Sequence, residues 1–403
     1  MPMNILVLNC GSSSVKYKVL GVRRLGEEAL LSGLVERVGT PKVAHRLERG
    51  SGQTRTLAGK PRGYRQAIEW AVRTALAEGP AVEAVGHRVV HAGEKFTGSV
   101  RVTPAVVKAL EECSDLAPLH NPPNLAGIAV AQRLAAEAVH VAVFDNALHH
   151  ALDPWVYTYA LPLEYYRKYG VRRYGFHGIA FRSAYERAGR LLRRHLNRLR
   201  VITLMLGSGC TANARLKGRS VEVSTGFTPL EGLVQSTRSG DVDPAAVLYI
   251  MERERLSCAQ ASDMLNRRSG LLGVSEVSAD LRDIKEAAKN RPSAHLALEV
   301  FVHRARKYLG AYAAVLGGVD VVIFAGGIGE RAADLRWAIC ERMGYMGLRL
   351  SKEKNAGAVG GEAVISAPSS EVSVVVVRVD EEQVIARDCY EIVKGGVERL
   401  APE

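Results

Sequence analysis

Two short segments rich in glycine and serine could bind phosphate groups. The first is GSSS at Gly11–Ser14, followed by Lys16, and the second is GSGCT at Gly207–Thr211. Such turns offer backbone N–H groups and hydroxyls, and the first adds an ammonium cation. Neither contains the G-x-x-x-x-G-K-[ST] pattern of a P-loop. Either turn alone could simply connect two strands, but the two together predict a site that binds a polyphosphate between them.

Two arginines stand beside small residues and could bind an anion. Arg88 lies in GHRVVHAGEKF and Arg238 lies in GLVQSTRSGDVDP. A guanidinium binds a carboxylate or phosphoryl group through two parallel hydrogen bonds. If both arginines met at one anion, they would hold it firmly. An ordinary surface arginine is the alternative for each.

Three further motifs contain groups suited to the same chemistry. His177, flanked by glycine turns in RRYGFHGIAFR, could donate a hydrogen bond to an oxyanion, although a structural turn histidine is the alternative. Asp145 in VFDNALHH is a candidate for positioning magnesium, and the adjacent His149 and His150 face different ways, which argues against a zinc pair. The segment AGGIGER lacks a full G-x-G-x-x-G pattern but suits close approach of a nucleotide.

Strands that alternate with helical stretches would position these residues. The segment NILVLNC, a Gly/Ser turn and a second strand from Val15 form a predicted hairpin, and the segment from VITLML repeats it. Gly11 and Gly207 align about 196 residues apart, which indicates an internal duplication at the scale of a domain. Ligands of α/β sheets bind at the carboxyl ends of strands. The residues that follow predicted strands are Asn9, Arg88, Asp145, Gly207, Gly326 and Asp380.

Length and composition limit the class of protein. A chain of 403 residues with 47% hydrophobic and 24% charged residues predicts about two globular domains. It has no apolar run long enough to span a membrane. The N-terminal segment lacks a basic region and a cleavage site, so we expect no signal peptide. The six cysteines are scattered, and we therefore expect a reduced, cytoplasmic protein.

The net charge of +12 comes from an excess of basic residues, with 40 Arg and 14 Lys. Nucleic-acid binding, anionic substrates and an Arg-rich surface are competing explanations. The densest cluster, Phe181–Arg200, contains seven Arg but only two aromatic residues. It therefore lacks the stacking platform of a single-strand binder. We expect a solvated helix face and no nucleic-acid partner.

A series of motifs resembles the acetate and propionate kinase family, within the superfamily of sugar kinases, actin and heat-shock chaperone ATPases. The motifs are NCGSSSVKY, GHRVVHAG, LAPLHNPPN, VFD-x-A-x-H, YALPLEYYRKYGVRRYGFHG, STGFTPLEGL, TRSGDVDPA, SADLRDI, GGIGE and VDEEQVIARD. They occur in family order and cover nearly the whole chain. TPLEG together with TRSGD-x-DP is the most specific part of the match.

The resemblance implies an α/β fold with two duplicated ββαβαβα domains of the ribonuclease H-like, actin-like type and an interdomain cleft. The first domain would comprise residues 1–148 and about 382–403, and the second 149–381. It further implies a homodimer that phosphorylates acetate with ATP and Mg²⁺, with Mn²⁺ as a possible substitute. A propionate or short-chain acid kinase, a pyrophosphate-using relative and a non-catalytic nucleotide-binding homologue are the alternatives.

The resemblance also assigns roles to residues. The transition-state residues are Asn9, Arg88, Asp145, His177 and Arg238. Arg88 and Arg238 would hold the carboxylate and the transferring phosphoryl group, and His177 would donate to an equatorial oxygen. The acetate pocket would consist of Arg88, Val90, Leu119, Phe176 and Pro229. The nucleotide would contact Ser12, Ser14, Lys16, Gly207, Ser208, Gly209, Asp280, Arg282, Gly326, Gly327, Ile328 and Gly329. The metal would bind to Asn9 and Glu381, with Glu382 as a weaker candidate.

Elementary chemistry is consistent with these roles. A carboxylic acid with a pKa of about 4 is ionised at neutral pH, so its phosphorylation needs no general base. Positioning and charge neutralisation then supply the catalysis, and Asp145 would orient the metal or nucleophile.

The chain departs from the family pattern at Met205, Ser208, Ile179, Ala180, Phe181, Ser236 and Arg331. Several of these lie in the phosphate and nucleotide loops, so the phosphoryl donor stays open.

Overall fold

The computed structural model describes residues 2–11, 13–24, 26–40, 42–59, 61–118 and 120–395. Contacts divide the chain into two compact units, Met1–His150 with Asp380–Glu403, and Ala151–Val379. Asp380 and Glu381 thus belong to the first unit, whereas the sequence-based boundary at 381 assigns them to the second domain. The reason is that the helix beginning at Glu381 packs on strands of the first unit.

The described residues form the following elements. The strands are β1 (Met3–Cys10), β2 (Ser14–Arg23), β3 (Gly26–Glu36), β4 (Ala44–Arg49), β5 (Thr54–Leu57), β6 (Ala84–Val89), β7 (Val100–Arg101), β8 (Val139–Phe144), β9 (Arg200–Leu206), β10 (Cys210–Leu216), β11 (Arg219–Val223), β12 (Val321–Ala325), β13 (Ala363–Val364) and β14 (Ser373–Val376). The helices are α1 (Tyr64–Glu78), α2 (Pro104–Glu112), α3 (Asn121–Leu134), α4 (Pro154–Tyr157), α5 (Leu163–Tyr169), α6 (Gly178–Leu192), α7 (Pro244–Glu254), α8 (Cys258–Arg267), α9 (Gly270–Ser275), α10 (Leu281–Ala287), α11 (Pro292–Leu316), α12 (Gly326–Arg331), α13 (Ala333–Cys340), α14 (Lys352–Gly357) and α15 (Glu381–Val393).

The first unit is built on a mixed sheet in the order β5-β4-β3-β2-β1-β6-β8-β7. The strands from β1 to β5 pair antiparallel, whereas β1, β6 and β8 are parallel. Helix α15 packs closely on β6, because a Cβ atom on Gly86 would lie only 2.5 Å from Ile385 Cγ2 and 2.7 Å from Cys389 Sγ. Glycine at this position therefore lets the C-terminal helix approach the sheet.

The second unit repeats this strand order. Its sheet runs β11-β10-β9-β12-β14-β13, with β9, β10 and β11 antiparallel and β9, β12 and β14 parallel. The order β3-β2-β1-β6-β8 in the first unit thus corresponds to β11-β10-β9-β12-β14 in the second. Numbered along the chain within each unit, these five core strands lie in the order 3-2-1-4-5. The predicted α/β class and duplication are confirmed. Each predicted hairpin continues into a third antiparallel strand, β3 or β11.

Within the described ranges, no helix combines the length and the apolar character needed to cross a membrane. All six cysteines are free thiols, and Cys258 is the exposed one.

A buried histidine makes the stability of the first unit depend on pH. His45 on β4 is 0% exposed, its Nε2 lies 2.8 Å from the Tyr17 hydroxyl, and its ring meets Trp70 edge-on. Burial lowers the pKa of His45 to about 4. An unfolded histidine titrates at about 6.5, so the unfolded state gains protons first as the pH falls. His45 therefore makes the protein less stable between pH 6.5 and 4.

We expect His45→Gln to reduce the loss of Tm between pH 6.5 and 4 by about 2–5 °C relative to wild type. The side chain of glutamine can still bond to Tyr17 but does not titrate. Scanning fluorimetry across this pH range measures the effect. The exposed His195 provides a matched His195→Gln control with a wild-type profile. Equal pH dependence in His45→Gln and wild type would contradict the prediction.

Candidate active site

In the first unit, three predicted site residues lie together at the carboxyl ends of neighbouring parallel strands. Leu8 of β1 pairs with His87 of β6, so Asn9 and Arg88 follow at the same level of the sheet. Arg88 pairs in turn with Val143 of β8, and the Asp145 N–H donates to the Val89 carbonyl at 3.0 Å. Sheet register therefore brings Asn9, Arg88 and Asp145 to one edge.

Arg88 is held between two carboxylates. Its Nη2 and Nε donate to Asp145 Oδ2 at 2.7 and 3.1 Å, and its Nη1 lies 3.1 Å from Glu381 Oε2. Burial, the largest single effect, lowers the pKa of Arg88, but the two carboxylates raise it above its ordinary value overall. Burial raises the pKa of Glu381, and Arg88 opposes that rise. The guanidinium is thus charged and fixed in orientation.

One carboxylate oxygen of Asp145 forms no hydrogen bond with the described residues. The residue is 1% exposed, and its Oδ1 is buried without a hydrogen-bond partner in the described part of the chain. A buried carboxylate oxygen normally has a partner, so this atom points to a group that binds there. The described residues contain no cluster of three or more His, Cys, Asp or Glu side chains arranged to hold a metal. Any metal here would need other ligands as well.

The first phosphate turn is adjacent to a set of ion pairs. Lys16 lies opposite Asn9 in the β1–β2 hairpin, and its Nζ is 2.7 Å from Glu382 Oε1. Lys18 pairs with Asp380 at 2.8 Å and also approaches Glu382. Glu382 is thus engaged by two lysines, whereas Glu381 faces Arg88. The Gly11 N–H closes the turn on the Ser14 carbonyl at 3.0 Å, and Ser12 lies outside the described residues.

Two buried asparagines that the sequence analysis did not assign hold the loops of this edge. Asn124 accepts from the Val90 N–H at 3.1 Å and donates to the Cys10 carbonyl at 2.8 Å, which ties β1 to the end of β6. Asn121 makes two such bonds to His91. In the sequence, the two asparagines that flank Pro-Pro in the HNPPN motif could have indicated this structural role. Leu119, just before them, lies outside the described residues.

In the second unit, His177 adopts an unusual backbone conformation next to the second phosphate turn. It has φ +63° at the start of α6, and its Nδ1 is 2.9 Å from the Thr211 hydroxyl. A Cβ atom on Gly209 would lie 3.3 Å from His177 Cε1. Positive φ in a residue other than glycine is costly and concentrates at functional sites. The sequence analysis did not recognise Thr211 as the partner that orients this ring.

Arg238 has an environment opposite to that of Arg88. Burial lowers its pKa, and no carboxylate in the described ranges lies within ion-pair distance of it. Its Nη1 donates to Gln235 Oε1 at 3.3 Å, and Gln235 Nε2 donates to the Pro229 carbonyl at 2.7 Å. The nearby Phe176 is placed by a bond from its N–H to Thr225 Oγ1. Arg238 is therefore available to an incoming anion.

The glycine-rich loop predicted at Gly326–Gly329 is the first turn of helix α12 in the structure, and it lies beside the second phosphate turn. Gly326 has φ +78°, and a Cβ atom there would be 2.6 Å from the Leu206 carbonyl oxygen. A Cβ on Gly207 would be 3.8 Å from the Gly327 nitrogen. Glycine thus allows Gly207–Gly209 and Gly326–Gly329 to adjoin. Within the loop, Ile328 packs against the hydrophobic core of the unit.

Asp280 and Arg282 form an exposed pair at the start of α10. Asp280 accepts from the Arg282 N–H at 2.9 Å and pairs with its guanidinium at 2.6 Å. Hydrogen bonding to Arg282 lowers the pKa of Asp280 to about 2. Lys285 of the same helix lies 2.5 Å from Asp334 at the start of α13, which joins α10 to the segment after the glycine-rich loop.

The positions that depart from the family pattern have different surroundings. Met205 is buried in β9, and Ile179, Ala180 and Phe181 are buried on α6. Their side chains serve the packing of the second unit. Ser208 is exposed in the phosphate turn, and its carbonyl accepts from the Ser236 N–H at 3.0 Å. Arg331 is exposed at the end of α12.

Comparisons with known proteins agree with one another over nearly the full length. The acetokinase family model matches residues 4–387. The acetate kinase of Desulfitobacterium hafniense (strain DSM 10664 / DCB-2) is 44% identical over 405 residues, which cover 98% of this chain and 100% of that protein. Porphyromonas gingivalis acetate kinase superimposes with a TM-score of 0.91 at 43% identity, covering 97% and 100% of the two chains. A propionate kinase from Francisella tularensis gives 0.89 at 34% identity, covering 96% and 99%. The chain therefore belongs to the acetokinase family.

Proposed function

We propose that this protein is an acetate kinase, which catalyses ATP + acetate ⇌ ADP + acetyl phosphate by direct in-line transfer. The observation that carries the proposal is the environment of Arg238. Its guanidinium has no ionic partner in the part of the chain that the structure describes, and one amide joins it to Pro229, a residue of the proposed acid pocket. An unpaired cation beside an apolar residue suits a small carboxylate with a short alkyl group.

The mechanism follows from the charges of the reactants. Acetate is ionised at neutral pH, so the reaction needs neutralisation of repulsion between two anions rather than a base. Arg88 and Arg238 bind the carboxylate and the transferring phosphoryl group. His177, oriented by Thr211, donates a hydrogen bond to an equatorial oxygen. The residues that we propose to contact the methyl group are Val90, Leu119, Phe176 and Pro229.

We propose Mg²⁺, with Mn²⁺ as a substitute, as the metal of the reaction. Asn9 and Glu381 would supply hard oxygen ligands at the edge where Asp145 Oδ1 has no hydrogen-bond partner among the described residues. Mg²⁺ is commonly held by one or two protein oxygens together with substrate phosphates and water. When bound, the ion neutralises charge on the phosphates. Asp145 keeps Arg88 in place and directs its free oxygen to this position.

The nucleotide is proposed to contact the two phosphate turns and the glycine-rich loop. Ser12, Ser14 and Lys16 belong to the first turn, Gly207, Ser208 and Gly209 to the second, and Gly326–Gly329 to the loop, with Asp280 and Arg282 on the adenosine side. The adjacency of Gly207 and Gly327 supports this assignment. Pyrophosphate is the alternative donor, because Met205, buried in β9 just before the second turn, and Ser208, exposed in that turn, replace family residues.

Acyl phosphate trapping with hydroxylamine tests the function. With ATP and Mg²⁺ we expect acetate to give the highest kcat/KM, and propionate and butyrate to lose about tenfold or more per added methylene. A preference for propionate would change the acid but keep the reaction class. Product with pyrophosphate alone would change the donor. No acyl phosphate with any acid or donor would overturn the kinase proposal.

Replacing either proposed anion-binding arginine tests the mechanism. We expect Arg88→Ala and Arg238→Ala each to lower kcat/KM for acetate about 100- to 1,000-fold, because each removes charge neutralisation of the transition state. Circular dichroism verifies that the variants fold. Arg342→Ala, at an exposed position, is the matched control and should retain wild-type rates. A near-normal rate in either test variant would remove that arginine from the mechanism.

We also propose that the protein forms a homodimer through α7. None of the residues of this helix is buried, and Leu248, Tyr249 and Ile250 are 65%, 57% and 37% exposed. Contiguous exposed apolar residues of this size mark interaction surfaces. A second copy of the chain is the partner implied by the family, and a twofold axis would bring two identical faces together.

Light scattering coupled to gel filtration tests the dimer. Wild type should have a mass of twice 43.6 kDa. Leu248→Arg combined with Tyr249→Arg should shift the protein to a monomer, because burying two charges in an apolar interface is unfavourable. Val359→Arg, at a position 58% exposed on the same unit, is the control and should stay dimeric. A monomeric wild type would contradict the proposal.

A further inference from the structure

We propose that Gln235 is a positioning residue for the substrate anion: its neutral amide orients Arg238 and leaves the charge of Arg238 uncompensated. The inference rests on the proposed function, in which Arg238 binds an anion. Gln235 is 1% exposed and lies in the loop between β11 and α7. It has no role in any motif assignment made above.

The nitrogen and the oxygen of the Gln235 side-chain amide each form a hydrogen bond. Nε2 donates to the Pro229 carbonyl at 2.7 Å, and Oε1 accepts from Arg238 Nη1 at 3.3 Å. Only this orientation works, since a flipped amide would place oxygen against a carbonyl and N–H groups against a guanidinium. The side chain therefore fixes the guanidinium of Arg238 relative to the acid pocket.

The backbone of Gln235 is itself rigidly held. Its N–H donates to the Arg238 carbonyl at 3.2 Å, and its carbonyl accepts from the Leu271 N–H at 2.9 Å. Gly270 has φ +64°, and a Cβ atom there would lie 2.3 Å from the Gln235 carbonyl oxygen. The start of α9 thus packs tightly against this residue, which gives the amide a fixed base.

Gln235 also reaches the second phosphate turn. A Cβ atom on Gly209 would lie 3.6 Å from Gln235 Oε1, and the neighbouring Ser236 N–H donates to the Ser208 carbonyl at 3.0 Å. One buried amide therefore bonds to Arg238 and Pro229 and lies beside the turn proposed to bind phosphate. Movement of this side chain would disturb all three together.

The neutral charge of the side chain is the essential property. A carboxylate at this position would pair with Arg238 and compete with the substrate anion for it. It would also face the Pro229 carbonyl oxygen without a proton to donate. An amide satisfies both neighbours and leaves the positive charge for the substrate. A protonated carboxyl group would do the same.

Gln235→Glu and Gln235→Leu test the proposal by kinetics between pH 5.5 and 8.5. At pH 8 we expect Gln235→Glu to raise KM for acetate at least about tenfold and to lower kcat. Gln235→Leu, which adds no charge, should lower kcat/KM with a smaller rise in KM than Gln235→Glu, because it removes the orienting bond but leaves the positive charge of Arg238 to the substrate. A purely structural role would not separate the two variants in KM.

Gln260→Glu, on exposed α8, is the matched control and should retain wild-type kinetics. A folded Gln235→Glu protein with wild-type KM and kcat at every pH would overturn the inference, as would a Gln235→Leu protein with wild-type kinetics. Calorimetric binding of acetate, which requires no turnover, provides a second test. Equal affinity in wild type and Gln235→Glu at pH 8 would overturn the role of Gln235. Absence of turnover in wild type would overturn the proposed function instead.

Discussion

The first unit depends on the ion pairs of Arg88 with Asp145 and Glu381. One guanidinium meets two carboxylates, so the cluster has a formal charge of −1. One buried oxygen of the cluster, Asp145 Oδ1, has no hydrogen-bond partner among the residues that the structure describes. These features make the cluster receptive to another cation. They also require three distant parts of the chain, β6, the end of β8 and the start of α15, to meet. The close approach of α15 over Gly86 makes that meeting possible.

The guanidinium of Arg238 in the second unit has a different environment from that of Arg88 in the first. Arg88 is fixed by charge, whereas Arg238 is fixed by a neutral amide and keeps its charge for a ligand. A guanidinium offers five donors in a planar arrangement, so some can serve orientation while others remain for a ligand. The two arginines occupy equivalent-looking positions beside small residues in the sequence. Their neighbours in space give them different electrostatic properties.

Some of the basic residues form local ion pairs. Within the arginine-rich segment that contains α6, Arg187 pairs with Glu362 and Arg200 pairs with Asp320. Elsewhere, Arg49 and Arg55 share Glu78 on the surface of the first unit. Exposed pairs of this kind contribute little stability each. The positive charge that we propose to serve function belongs to a few side chains at strand ends and turns, among them Arg88 and Arg238.

The sequence by itself determined the α/β class, the duplicated hairpins and the placing of Asn9, Arg88 and Asp145 at strand ends. These follow from apolar periodicity and from the rule that parallel strands end at one edge, which are local or regular properties. Motif resemblance added the family.

Tertiary structure alone decided which groups pair. Arg88 meets Glu381, almost three hundred residues away, and this contact depends on how α15 packs. Thr211 orients His177 across 34 residues, and Gln235 reaches Pro229 through the shape of one loop. Differences of a few tenths of an ångström in the donor–acceptor distance decide which groups form a hydrogen bond. Those distances depend on the packing of the whole unit. A sequence pattern can therefore identify a residue that does chemistry more readily than the neighbour that positions it.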